Sequence, residues 1–174
     1  MIKSIEKFDM VVVFNDEDNE DLDEELPGIE EIKHALEDIP EFYIKESEFL
    51  NVVLVELGTD SVEAANKLRN SPTKIISRVV PINAVVETSF ESIIKKIMEL
   101  SLEKTKKNDT FRVNCIVMDN DKVKCSETVK LVVNELDKID LCLNEKDPEW
   151  IINIAIIGEN TGLSVLKTSE FHSG

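Results

Sequence analysis

Glu41-Phe-Tyr-Ile-Lys-Glu-Ser-Glu48, followed shortly by Asn51-Val-Val-Leu-Val-Glu-Leu57, decides the fold of the first half of the chain. Phe42 and Ile44 recur at a spacing of two among charged neighbours, and the second segment is a short β-branched run. Two such runs broken only around Leu50 and Asn51 predict a β-hairpin. Upstream, Ile29, Ile32, Leu36 and Ile39 follow Pro27 at spacings near 3.6, which predicts a helix over 28–38. Further upstream, Phe8–Phe14 is a Val-rich strand, closed by the polar stretch 15–25. Downstream, Asp60 and Glu63 form a capping-box-like pair before Val62, Ala65 and Leu68, so a helix ends near Asn70, Ser71 and Pro72. A last strand covers 74–80. The resulting order, β-α-β-β-α-β, is that of a ferredoxin-like sheet backed by two helices, and it defines a first domain at 1–82.

The second domain, 83–174, reads as a separate α/β unit, making the whole chain two-domain α+β. Pro81–Val86 reads as an extended connector. Thr88-x-x-Glu91 reads as a capping box opening a helix with Phe90, Ile93, Ile94, Ile97 and Leu100 on one face. Phe111–Met118 is a strand, and Ser126 is placed to cap a helix through Val129, Val132, Val133 and Leu136. Ile151–Ile157 and Leu163–Leu166 are two closing strands around a turn over 158–162.

Composition bounds the function. Of the 174 residues, 42% are hydrophobic and 32% charged, so the chain can bury a core. The longest apolar runs fall far short of the roughly 20 residues needed to cross a bilayer, and no export leader opens the sequence. The expectation is a soluble cytoplasmic protein. Its net charge of −16 is unevenly spread: 1–60 sums to −15, 61–130 to +4 and 131–174 to −5. The positive segment carries Lys95, Lys96, Lys104, Lys106, Lys107, Arg112, Lys122, Lys124 and Lys130, beside a helix start at Ser126 whose free N–H groups suit a phosphate. The high ratio of Lys to Arg, with many Glu, leans toward a thermophile composition.

Catalytic patterns are missing. No dinucleotide or phosphate loop, Gly-x-Ser-x-Gly, Cys-x-x-Cys or paired histidine occurs, so neither catalytic nor metal residues are assigned and no cofactor is expected. His34 reads as a helix-surface residue and His172 as part of the tail. Cys115 and Cys142 read as small buried hydrophobes in a reducing compartment, and Cys125 as the more reactive of the three. The run Asp16–Glu25 lacks the glycine turn and terminal glutamate of a calcium loop and reads as solvated.

Three stretches resemble a known family: Ile76-Ser-Arg-Val-Val-Pro-Ile-Asn-Ala-Val-Val-Glu-Thr-Ser-Phe-Glu-Ser-Ile93; Thr110-Phe-Arg-Val-Asn114; and Ile139-Asp-Leu-Cys-Leu-Asn144, leading through Asp147-Pro148 to Gly158 and Leu163-Ser-Val-Leu166. Together they resemble a THUMP domain preceded by its N-terminal ferredoxin-like domain, in the pattern of the accessory proteins of tRNA cytidine acetylation. The resemblance implies RNA binding by a non-enzymatic adaptor that grips the tRNA acceptor end and presents it to a separate modifying enzyme, such as a cytidine acetyltransferase. It assigns Arg78 to an Arg-x-x-Pro linker motif with Pro81. It places Arg112 in the first THUMP strand and Lys122, Lys124 and Ser126 in the turn and helix start beyond; Lys107, from the basic loop before that strand, is added to them as a candidate RNA-binding residue. Asp140, Leu141 and Pro148 are structural in that pattern. The alternative function is an acidic protein-interaction module whose RNA binding is weak or lost.

Overall fold

The structure, a computed structural model, describes residues 7–14, 25–39, 41–46, 52–58, 60–70, 76–118 and 123–169. These residues form two compact units that divide between Ile82 and Asn83.

The first unit runs β1 (Met10–Phe14), α1 (Glu25–Ala35), β2 (Phe42–Glu46), β3 (Val52–Leu57), α2 (Ser61–Asn70) and β4 (Ile76–Pro81). Its sheet has the order β2-β3-β1-β4, and every adjacent pair is antiparallel. The hairpin joins Phe42 to Leu57 and Glu46 to Val53 in register. All five residues of β1 are buried, which is why that strand is a continuous apolar run rather than an alternating one. Ile32 of α1, Leu36 just beyond it, and Ala64, Ala65 and Leu68 of α2 are completely buried. The Asp60 carboxylate accepts from Val62 N at 2.8 Å, satisfying one of the open N–H groups of the first turn of α2.

The second unit runs β5 (Ala84–Glu87), α3 (Phe90–Lys104), β6 (Thr110–Met118), α4 (Cys125–Asp137), β7 (Cys142–Leu143), β8 (Trp150–Ile157) and β9 (Asn160–Lys167). The sheet order is β5-β9-β8-β6-β7; β6 is parallel to β7 and β8, while β9 is antiparallel to β8 and β5. Phe111, Ile152, Ile154, Ile156, Leu163 and Val165 meet Ile93 and Ile97 of α3 and Val132 and Leu136 of α4 in one core. The alternate residues of β8 lie on the other face of the sheet. There Asn153, 6% exposed, donates from Nδ2 to Ser164 Oγ at 3.1 Å, so its buried amide is partnered.

Several local features differ from the sequence expectation. The extended connector ends in a true strand, β5, which pairs with β9. Asn83 anchors it: its N–H donates to Leu163 O at 2.8 Å, while its side-chain oxygen accepts from Val165 N at 2.9 Å and Lys104 Nζ at 3.0 Å. The cap of α3 is Ser89, whose Oγ accepts from Ser92 N at 3.1 Å, because Thr88 Oγ1 is engaged with Thr161 Oγ1 across the β5–β9 pair. The closing hairpin turns on Gly158 and Glu159 alone, since Ile157 already pairs with Asn160. Gly158 takes φ 61°, which a residue lacking Cβ adopts without steric cost.

Candidate nucleic-acid interface

The basic residues singled out by sequence fall at distinct places. Arg78 lies in β4, an outer strand of the first sheet; it is exposed and pairs with Val13 in register. Arg112 lies in β6 beside Ile151 of β8, half-buried, on the face of the sheet away from Phe111 and the helices. Its Nε is buried without a hydrogen-bond partner. Such a group costs free energy when it is left without an acceptor.

Lys124 and Ser126 sit together at the start of α4. Lys124 is the exposed cap residue, in extended conformation, and its side chain accepts no bond from the helix. Its carbonyl instead accepts from Thr128 N at 3.0 Å and Thr128 Oγ1 at 2.8 Å. Ser126 is therefore an exposed residue of the first turn and not the cap. With no side-chain oxygen supplied at the cap position, the positive end of the α4 dipole and the Lys124 ammonium carry the same sign, although Glu127 in that turn opposes them. Lys122 lies outside the described residues, as does the acidic stretch at 16–24.

Lys107 is placed elsewhere. It precedes β6, whereas Lys124 follows that strand, so nine strand residues, or about 26 Å at 3.3 Å per step, separate the two ends. Lys107 Nζ lies 3.5 Å from Asp140 Oδ2, both side chains being largely solvated. That pair belongs to a structural corner. Asn108 (φ 73°) donates its N–H to Asp140 O, and Asp140 itself has φ 64°. Asp109 Oδ2 accepts from Lys106 N at 2.8 Å and Trp150 Nε1 at 3.0 Å, tying the corner to β8. Two more lysines of the basic stretch have other duties. Lys104 donates to Asn83 and to Val165 O, and Lys96 pairs with Glu99 at 3.0 Å. The described positive residues of that stretch therefore do not make one patch. The strand expected over 111–118 already sets Lys107 and Lys124 at its two ends, whereas the duties of Lys104 and Lys96 show only in the fold.

The cysteines correct the sequence reading. Cys115 of β6 and Cys125, the first residue of α4, are joined by a disulfide, with their Cα atoms 5.7 Å apart. Cys142 is a free and exposed thiol rather than a buried one. The nine residues between the two cysteines carry no local disulfide signature. The pairing arises because Cys115 points to the helix side, three residues from the end of β6, where α4 begins.

Elsewhere, His34 is solvated beside Glu37 at 3.8 Å. Among the described residues no group of three or more His, Cys, Asp or Glu is placed to hold a metal, and no helix is long and apolar enough to cross a membrane.

Comparison with known proteins bears on the second unit first. A protein-family model for the THUMP domain matches residues 87–166, from the end of β5 to the end of β9. Comparison with curated protein sequences finds no match. Among solved structures, PH1313 from Pyrococcus horikoshii Ot3 is similar over 92% of this chain and 55% of its own, with a TM-score of 0.65 and 19% identity. TrmN from Thermus thermophilus is similar over 90% of this chain and 44% of its own, with a TM-score of 0.52 and 18% identity. A 4-thiouridine synthetase in an RNA complex with bound ATP is similar over 92% of this chain and 41% of its own, with a TM-score of 0.52 and 12% identity. This chain thus spans about half the length of the solved structures it matches, and at these identities the likeness is one of fold. The second unit of the protein carries a THUMP domain, at residues 87–166.

Proposed function

We propose that the protein is a non-catalytic tRNA-binding adaptor that holds the acceptor end of tRNA and presents it to a separate modifying enzyme, such as a cytidine acetyltransferase. The observation that carries this reading is the THUMP domain at 87–166, in a chain similar in fold to part of a synthetase solved with RNA. The β-α-β-β-α-β order and the antiparallel arrangement β2-β3-β1-β4 support reading the first unit as ferredoxin-like. Arg112, with its unsatisfied Nε, and the Lys124 end of α4 are the groups best suited to phosphate oxygens; Arg78 is the exposed cation of the first unit. These are backbone contacts, which fix register on a nucleic acid and leave shape and the single-stranded 3′ end to supply selectivity.

A second reading, docking of a basic protein on the first unit, is favoured by the charge of −15 over residues 1–60. The acceptor-end proposal is tested by comparing intact tRNA with tRNA trimmed of its 3′ end in an equilibrium binding measurement. The adaptor reading expects trimming to weaken binding by about tenfold, the equivalent of one or two base-stacking contacts. Equal affinity for both would remove the acceptor end from the proposal.

A further inference from the structure

β8 accompanies β6 over Phe111–Met118, whereas β7 reaches only Thr110 and Phe111 on the other side of that strand. Asp109 O and Phe111 O accept from Cys142 N and Asn144 N, so the odd-numbered residues here turn their backbone groups toward β7. Beyond that short strand, the N–H and C=O groups of Val113, Cys115 and Val117 therefore point out of the sheet, and among the described residues nothing pairs with them. An unpaired row of this kind is a template for another strand, and proteins blunt it with charge, proline or shortness. The other outer strands are blunted in this way. β2 carries Lys45 and Glu46, β4 carries Arg78 and ends on Pro81, and β5 has only four residues, the last of them Glu87. From 112 to 118, β6 carries one charge, at Arg112, and neither proline nor glycine. Asn114 and Val117 are exposed along it. Val117, Leu143 of β7 and Leu131 of α4, the helix packed against β6 and β7, are three of the five exposed large hydrophobics among the described residues.

From this we infer that the open edge of β6 is the contact surface for a second copy of this chain, the two β6 strands pairing antiparallel across a two-fold axis. What favours a copy over an unrelated strand is that this edge is complementary to itself. A two-fold pairing must bring residues with outward backbone groups opposite one another. Centred on Cys115, it engages all three of them: Cys115 meets Cys115 of the second copy, and Val113 and Val117 meet Val117 and Val113. Centring on Asn114 or Ile116 would engage only two. In the Cys115 register the opposed pairs on one face are valine with valine, a favourable combination of β-branched neighbours. On the other face Asn114 stands opposite Ile116 of the second copy, and Arg112 opposite Met118, so no like charges are opposed. The strand edge with Val117, Leu131 and Leu143 makes a small interface, and the dissociation constant is expected to be on the order of 10 µM. Self-association of this kind is independent of the tRNA-binding reading above.

The test is sedimentation equilibrium of the full chain over a concentration series spanning that value, near 0.15 M salt to screen the net negative charge. The expected result is a mass that rises from the 19.7 kDa of one chain toward twice that value. Val117→Pro removes an N–H that points out of the sheet and leaves the ladder to β8 intact. Because the axis applies the change twice, it is expected to weaken association by about tenfold or more. Val117→Lys, which places on this edge the kind of charge the other outer strands carry, should do the same. Tyr43→Lys, at an exposed position of β2 in the other sheet, should leave association unchanged. The Trp150 fluorescence of each variant during urea unfolding shows that the second unit is still folded. A single-chain mass at every concentration would overturn the proposal and leave the edge to a strand of another protein. Association that survives both Val117 substitutions in folded protein would overturn it too, by placing the contact elsewhere.

Discussion

Replacing Ile154 with alanine is expected to lower the stability of the second unit by about 3 kcal/mol. Ile154 lies in the middle of β8, 1% exposed, with Cys115 of β6 and Leu163 of β9 on either side in register. Its side chain belongs to the core shared with Ile93 and Ile97 of α3 and with Val132 and Leu136 of α4. Truncation removes the transfer free energy of the deleted methyl groups and leaves a cavity that two helices and three strands cannot close together. Ile154→Val, which keeps the β-branch, is expected to cost only about 1 kcal/mol. Trp150 is the sole tryptophan, 7% exposed at the start of the same strand, so its fluorescence during urea unfolding reports this unit specifically. A midpoint for the alanine variant close to that of the natural protein would mean that β8 is not the packed centre of the unit.

Reversing both charges just ahead of α4 in sequence, as Lys122→Glu with Lys124→Glu, is expected to weaken tRNA binding by about a hundredfold near 0.1 M salt, since removing one cation from a phosphate forfeits about a tenfold factor of counterion release. The slope of log affinity against log salt should become shallower by about two. Stability should change little, because Lys124 is exposed and its structural contribution is its backbone carbonyl, which the substitution keeps. Reversing Lys107 serves as a contrast. That residue stands at the other end of β6 and already faces Asp140, so the effect of its reversal on affinity should be the smaller. Equal effects at the two ends would place the RNA along the sheet rather than at the helix start.

The elements legible in the sequence are those whose apolar period is long or sharp. The 3.6 spacing of Ile93, Ile97, Val132 and Leu136 and the apolar runs of β1, β3 and β8 each correspond to a buried face. What escaped is what depends on partners distant in sequence. β5 has four residues and exists because β9 pairs with it, and β7 has two, held by β6. The cap of α3 moved by one residue because Thr161, more than seventy positions away, engages Thr88. Lys104 reads as a surface charge until the fold brings Asn83 and the carbonyl of Val165 to its ammonium.

The candidate interface was legible in kind but not in shape. Positive charge between residues 61 and 130 is a matter of counting, and Arg112 was marked by resemblance. The strand expected over 111–118 separates Lys107 from Lys124, but that the Nε of Arg112 is buried without an acceptor shows only in the structure. The disulfide was invisible for a related reason: Cys115 and Cys125 meet only once α4 has turned back over the sheet.

Equilibrium binding of the purified full chain to total tRNA over a salt series tests the tRNA-binding proposal most directly. The expected result is measurable affinity at low salt that falls steeply as salt rises, with a log–log slope of roughly −3 for three to four phosphate contacts. No binding at low salt, with the protein folded by its Trp150 fluorescence, would contradict it and turn attention to a basic protein partner for the acidic first unit.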